Sequence, residues 1–213
     1  MYVLHHSPDS ASLIIRLVLL ELNLPHDARL IDRPGGALNS PEYRAMHPLG
    51  LIPALETPDG PMFETAAMLL YLSDRHPGLA PAPADADRAA FLKWLFFIST
   101  NIHPTLLQLF YPERTAGPDC KAAVVSHAKA RMHGFLGILD AMVTRDAPAY
   151  LSDKNPTILG YYIAVLMRWI SADFPVKNYP ALHNVLAYLE TRPAALQAAS
   201  LESLGPTIFS NPA

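Results

Sequence analysis

The stretch HHSPDSAS, residues 5–12, sets two histidines and three serines in eight positions, between the apolar run Tyr2-Val3-Leu4 and a long apolar stretch from Leu13 to Leu22. Hydroxyls and imidazoles at that density suit hydrogen bonding to an anion or proton transfer, and they equally suit a plain turn. His5 and His6 alternate faces if they lie on a strand, so they do not make a metal pair. There is no H-E-x-x-H for a zinc site and no G-x-S-x-G for a serine hydrolase. The single cysteine, Cys120, forms no internal disulfide and has no C-x-x-C partner. Any sulfur chemistry must then use a thiol that a ligand brings.

A second pattern lies at Ile52-Pro53-Ala54-Leu55, which asks a strand to begin at a proline. One reading is simply a strand start. The other is a cis Ile52-Pro53 bond that turns the backbone N–H and C=O of Ile52 outward, where an extended peptide-like ligand pairs with them as an added strand. Eleven residues past Pro53, Glu64-Thr65 opens a helix. A helix start with free N–H groups favours a carboxylate, and a hydroxyl beside a carboxylate could hold both charged ends of one ligand. Ordinary helix capping by the same two residues is the competing reading.

These residues need elements to position them. Tyr2–His6 reads as a strand, 12–22 as a helix apolar nearly all round, and 28–32 as a second strand, which is a βαβ opening. A helical turn is expected over 41–46 after Ser40-Pro41, and a hairpin around Thr57-Pro58-Asp59-Gly60. A helix then runs from Glu64 to a stop at Pro77-Gly78, giving β-α-β-α-β-β-α. The Pro/Ala stretch LAPAPADAD, 79–87, marks a boundary between domains at 1–79 and 87–213. Beyond it only helical spacing remains. Trp94, Leu95, Ile98 and Ile102 share one face, and so do Met132, Phe135, Leu136, Leu139 and Met142. TILGYYIAVLMRWI, 157–170, is apolar on every side except Arg168 and suits the middle of a bundle, and a last helix opens at Pro193.

Composition bounds the rest. The 213 residues are 51% hydrophobic, enough for a sizeable core, and 16 Lys+Arg against 19 Asp+Glu leave a net charge of −3. No basic cluster tracks a phosphate backbone, so nucleic acid is not an expected partner. No apolar run reaches the roughly 18 uncharged residues of a membrane span, and the opening MYVLHHSPDS lacks signal-peptide features. A cytoplasmic protein with no membrane partner is the expectation.

Taken together, HPLGLIPALET (47–57) and FETAAMLLYLSDRHP (63–77) resemble the glutathione S-transferase segments Asn-Pro-x-Gly-x-Val-Pro-Ala-Leu and Glu-Ser-x-Ala-Ile-x-x-Tyr-Leu. WLFFISTNIHPTLLQLFYPERT (94–115) is similar to the corresponding helix of bacterial beta-class members, and NPTILGYYIAVLMRW (155–169) to the family's hydrophobic staple and capping box. The resemblance spans nearly the whole chain. It implies a thioredoxin-like α/β N-terminal domain, an all-α helical-bundle C-terminal domain, a homodimer, and glutathione as co-substrate with no metal. By the same resemblance Ile52 is the backbone partner of the glutathione cysteine, Pro53 the cis-proline, and Glu64 and Thr65 the holders of the γ-glutamyl end. Leu51 departs from the pattern where many members carry a polar or basic residue for the glycine end, which leaves Arg33 as a candidate. Gly160 stands where the capping box has aspartate, leaving only the Thr157 side of that cap, a loss of about 1 kcal/mol or less.

Glutathione reacts as a thiolate, and a thiol with pKa near 8.5 is roughly 3% ionised at pH 7. A hydroxyl donor and a helix N-terminus aimed at sulfur would lower that pKa, and a shift of ~2 units, worth ~2.7 kcal/mol, makes the thiolate dominant. HHSPDSAS resembles the beta-class stretch Tyr-Tyr-Ser-Pro-Gly-Ala-Cys-Ser without gaps, which places His6 at the tyrosine and Ala11 at the cysteine. With both familiar groups replaced, Ser10 is the first candidate donor, its hydroxyl free if Asp9 caps the helix, with Ser12 and His6 behind it. Asp9 opposes activation, because a nearby carboxylate raises a thiol pKa. His103 resembles a beta-class histidine lining the electrophile pocket, with Pro104 where lysine is usual, and Phe110 and Tyr111 could floor an apolar pocket or belong to the core. The expected reaction is attack of the glutathione thiolate on an apolar electrophile. The alternatives are a glutathione-binding module with little turnover and a glutathione-dependent isomerase or peroxidase.

Overall fold

The computed structural model of the chain describes residues 1–205 and 208–210. Its first part is built on one four-stranded sheet of order β2-β1-β3-β4, formed by β1 (Tyr2–His6), β2 (His26–Leu30), β3 (Ala54–Thr57) and β4 (Gly60–Met62). β1 runs parallel to β2, Tyr2 opposite His26, and antiparallel to β3, Leu4 opposite Leu55. The β3–β4 hairpin closes at Thr57 opposite Gly60, where the Thr57 hydroxyl donates to the Gly60 carbonyl at 2.7 Å. β2 begins at His26, two residues before the expected start, because its pairing with β1 and not its own mixed composition sets the bounds.

Helix α1 (Ser12–Glu21) is buried from Ser12 through Leu19, which agrees with its apolar circumference. It lies between the sheet, α3 (Thr65–Arg75), and the later helices α8 (Ile158–Ile170) and α10 (Pro193–Glu202). Pleating points Tyr2 and Leu4 to the α1 side, where they join the core, and His5 to the other, where it meets Tyr43 of α2 (Pro41–Met46) edge-on at 6.0 Å. Ser40 caps α2 through a 3.1 Å bond from the Tyr43 amide.

From α4 (Arg88–Phe97) onward every regular element among the described residues is helical: α5 (His103–Phe110), α6 (Glu113–Ala116), α7 (Lys121–Asp146), α8, α9 (Pro180–Glu190) and α10. α8 has all of Ile158–Met167 buried and runs through the centre, as its uniform hydrophobicity predicts. Between α4 and α5 the chain winds as a π-helix over Ile98–Ile102. Pro104 interrupts the ladder here, because it has no N–H to donate to the Thr100 carbonyl. The architecture is a thioredoxin-like mixed sheet with flanking helices, joined to a helical C-terminal part. No helix among the described residues is long and apolar enough to cross a membrane.

Candidate active site

The sheet's central strands bring two loops together. The first, Ser7–Ala11, leaves the C-terminal end of β1. Ser7 and Ser12 are buried, while Ser10 is half-buried and opens toward solvent. Their polar atoms interlock: the Ser10 hydroxyl lies 2.7 Å from the Ser7 carbonyl and 2.9 Å from Ser12 Oγ, and Ser12 Oγ lies 3.0 Å from the same carbonyl. Since Ser12 can hold the Ser7 carbonyl alone, Ser10 can turn its proton elsewhere for about one neutral hydrogen bond, ~1 kcal/mol. A charge-assisted bond to a thiolate is stronger than that. Ser12 is fully buried and faces its two serine neighbours.

Asp9 does not cap α1, which was the condition under which the Ser10 hydroxyl would be free. The N-cap is Ala11, with no side-chain cap, and the Asp9 carboxylate turns to α8, where Arg168 Nε and Nη2 each donate at 3.0 Å and Trp169 Nε1 at 2.8 Å. Asp9 itself sits at φ +47°, two residues before that N-cap, and its amide donates to Glu202 at 2.8 Å. The paired guanidinium offsets the negative charge beside Ser10, so the electrostatic objection to a thiolate there is weakened.

His6 ends β1 half-buried, its Nδ1 without a protein partner among the described residues, and burial together with the Arg16 charge holds its pKa below 6.5. The Ile31 amide binds the His6 carbonyl at 2.9 Å, which brings Arg33, two residues on and exposed, to the same end of the sheet.

The second loop carries the cis Ile52–Pro53 peptide. Tyr43 Oη donates to the Leu51 carbonyl at 2.7 Å, and burial lifts this phenol to about 12. Pro53 is buried and Ile52 half-buried, and among the described residues the N–H and C=O of Ile52 enter no hydrogen bond. They remain as an unpaired donor and acceptor in line with β3. Thr65 is buried at the start of α3, whereas Glu64 is exposed at its N-cap with φ +72° and makes no side-chain cap bond. Left-handed backbone at a glutamate costs about 1–2 kcal/mol, and strained residues of this kind cluster at active sites and ligand clamps. Capping by the Glu64 side chain is therefore not what the structure shows.

Sequence reasoning missed His47 and Tyr162. Burial lowers the His47 pKa, opposed in part by the charge of Glu64, and burial raises that of Tyr162, where the charge of Glu64 adds to it. Tyr162 Oη in turn lies 2.9 Å from His103 Nδ1, and burial lowers His103 to about 4, which makes it a neutral imidazole at pH 7. Phe110 and Tyr111 are not gathered with His103. They follow it by seven and eight residues, about 10 Å along the helix, and pack edge-on to each other at 6.4 Å with Arg114 over the Tyr111 ring. Phe110 is exposed and Tyr111 half-buried, so neither is core. Among the described residues no group of three or more His, Cys, Asp or Glu is arranged to hold a metal ion. His47 had a signal in the sequence, standing where the related segment has asparagine. Tyr162 had none, because 59 residues separate it from His103.

Comparison with known proteins gives concordant results. Residues 10–75 match the family model described as glutathione S-transferase, N-terminal domain. Glutathione S-transferase GST-4.5 of Xanthomonas campestris pv. campestris is 30% identical over 211 residues, covering 93% of this chain and 98% of the relative. Among solved structures, a sphingomonad glutathione S-transferase complexed with glutathione superposes with a TM-score of 0.77 at 27% identity, covering 95% of this chain and 100% of the other. The glutathione transferase URE2P8 of Phanerochaete chrysosporium, solved with oxidized glutathione, gives 0.82 at 22% identity over 95% of each chain, a likeness of fold. With both halves accounted for by one relative along almost its entire length, the chain belongs to the glutathione S-transferase family and is a transferase.

Proposed function

We propose that the protein binds glutathione in the angle between the Ile52–Pro53 loop and the start of α3, and transfers its thiolate to an apolar electrophile. The observation that carries this reading is the unpaired N–H and C=O of Ile52 beside a buried Pro53, together with a helix start at α3 that holds Glu64 at φ +72°. An extended tripeptide needs such a backbone pair for its central residue. Thr65 and the N-terminal dipole of α3 would take the γ-glutamyl carboxylate, Glu64 the ammonium, and Arg33 the glycine carboxylate. Ser10 is the proposed sulfur donor, with Ser12 holding the Ser7 carbonyl in its place and His6 lining the same end of β1. With Arg168 on Asp9 and the N-terminus of α1 behind the loop, this surrounding favours the charged form of the thiol.

The electrophile would sit between this loop and the start of α5, against the neutral His103, with Phe110 and Tyr111 further along the helix as apolar surface. No covalent enzyme intermediate is needed. The departures at His6 and Ala11 leave the beta class as the nearest subtype on motif grounds, with serine in place of its usual groups. A division at 1–79 and 87–213, a homodimer, a cytoplasmic setting and a role in detoxification complete the proposal. Exposed Leu49, Leu51, Phe96 and Leu107 supply apolar surface that self-association would cover.

Ultraviolet titration of bound glutathione thiolate, in wild type and Ser10→Ala, tests the reading. The wild type should ionise the bound thiol about 1–2 units below the free value, and Ser10→Ala should move it back up by about 1 unit. Binding with no shift in the wild type would favour a binding module without turnover.

A further inference from the structure

The loop that carries Ser10 is held from the far end of the chain. Asp9 receives three hydrogen bonds on its carboxylate from Arg168 and Trp169 of α8, and gives its amide proton to Glu202 Oε2 of α10. The other oxygen of Glu202 accepts from Arg16 Nε of α1 at 2.7 Å, with both side chains buried. Arg168 Nη1 also donates to the Ile208 carbonyl at 3.0 Å. Each acid thus has its own guanidinium, Arg168 on Asp9 and Arg16 on Glu202, and the two pairs are joined through the Asp9 amide.

We propose that Asp9, Arg168, Trp169 and Glu202 form a positioning set that fixes the Ser10 hydroxyl in line for the glutathione sulfur. The inference rests on the reading of Ser10 as the sulfur donor. Left-handed backbone at Asp9 is unfavourable by itself, so the loop keeps that shape only while outside contacts over-determine it. Both Asp9 oxygens accept from α8, which ties the loop to that helix. The Asp9 side chain is 39% exposed, so loss of its bonds should disturb the loop more than global stability. The glutathione-holding groups at Ile52, Glu64 and Thr65 lie on other segments. Misplacement of Ser10 should therefore act on turnover and thiol ionisation and spare glutathione affinity.

A double-mutant cycle tests this with glutathione and 1-chloro-2,4-dinitrobenzene, read by steady-state kinetics and by titration of the bound thiol. Asp9→Ala should lower kcat by about tenfold or more, with KM for glutathione within about twofold, and should raise the bound thiol pKa by misplacing Ser10, although loss of the carboxylate charge by itself would lower it. Asp9→Asn, which tolerates left-handed backbone and keeps an acceptor for Trp169, should restore most of the loss. In a Ser10→Ala background Asp9→Ala should add little, because the two act as one unit. Trp169→Phe, which removes a single donor, provides the same cycle if Asp9→Ala does not fold. A full Asp9→Ala loss repeated in the Ser10→Ala background, a loss confined to KM, or an unmoved thiol titration overturns the proposal. A Ser10→Ala enzyme as fast as wild type removes the donor reading itself, and with it this inference.

Discussion

His103 is a histidine whose chemistry is set by what surrounds it. Burial lowers its pKa from 6.5 to about 4, and its Nδ1 is 2.9 Å from Tyr162 Oη. The unfolded chain takes up this proton near pH 6.5 and the folded one only near 4. Stability from the neutral ring is thus complete above about 6.5 and falls as pH drops toward 4, by about 3 kcal/mol in total. Thermal unfolding between pH 4 and 7 should show this slope in wild type, and a flatter one in His103→Asn. Equal slopes would mean that His103 titrates normally. At neutral pH the side chain can give or accept one hydrogen bond to an electrophile but offers it no positive charge. The sequence identified this residue through a family likeness. Its partner, its burial and its protonation state came only with α8 packed against it.

At the scale of elements, α8 shows how a departure from a family pattern is absorbed. Thr157 accepts from the Gly160 amide at 3.0 Å, so the hydroxyl side of the cap is present without the aspartate. The missing side chain has a packing reason: a Cβ at Gly160 would stand 2.9 Å from Leu189 Cδ1 and 3.2 Å from Thr157 Oγ1. The Leu189 side chain of α9 would have to shift to admit one. Gly160→Ala would ordinarily gain up to ~1 kcal/mol in a helix, but overpacking by roughly 1–3 kcal/mol opposes it. The expected net is a loss of about 1 kcal/mol, read as a lower urea midpoint with unchanged slope, and a gain would show that Leu189 moves aside freely. The π-helical turn at 98–102 belongs to the same scale. Pro104 was visible in the sequence, yet a proline in a helix can kink, end or rewind it, and the choice is made by neighbouring helices.

Across the whole molecule, the first and last segments are joined by charge. Arg16 and Glu202 pair in the interior at 2.7 Å, and Glu21 accepts from Tyr161 at 2.5 Å and from Arg192 at 2.6 Å. Both sets tie α1 to helices more than a hundred residues later. Removing one member of a buried pair strands the other, so Glu202→Ala should cost roughly 3–5 kcal/mol, whereas Arg16→Met with Glu202→Leu should recover most of it. Chemical unfolding of the three proteins measures this. A Glu202→Ala loss under about 1 kcal/mol would mean that water reaches Arg16 when its partner goes.

From the sequence alone came the elements that periodicity and punctuation specify: the βαβ opening, the Ser40-capped turn, the hairpin at Thr57–Gly60, the change to helices after 87, and the central place of α8. These follow from local rules, where hydrophobic spacing and turn chemistry act within about a dozen residues. Family likeness then pointed to Ile52, Pro53, Glu64 and Thr65. What only the tertiary structure decided is how charges and hydroxyls pair over long separations: Asp9 leaving the helix cap for Arg168, Ser12 buried behind Ser10, and Tyr162 against His103. A polar side chain has several acceptable partners in any sequence, and burial selects among them only once the chain has closed around it.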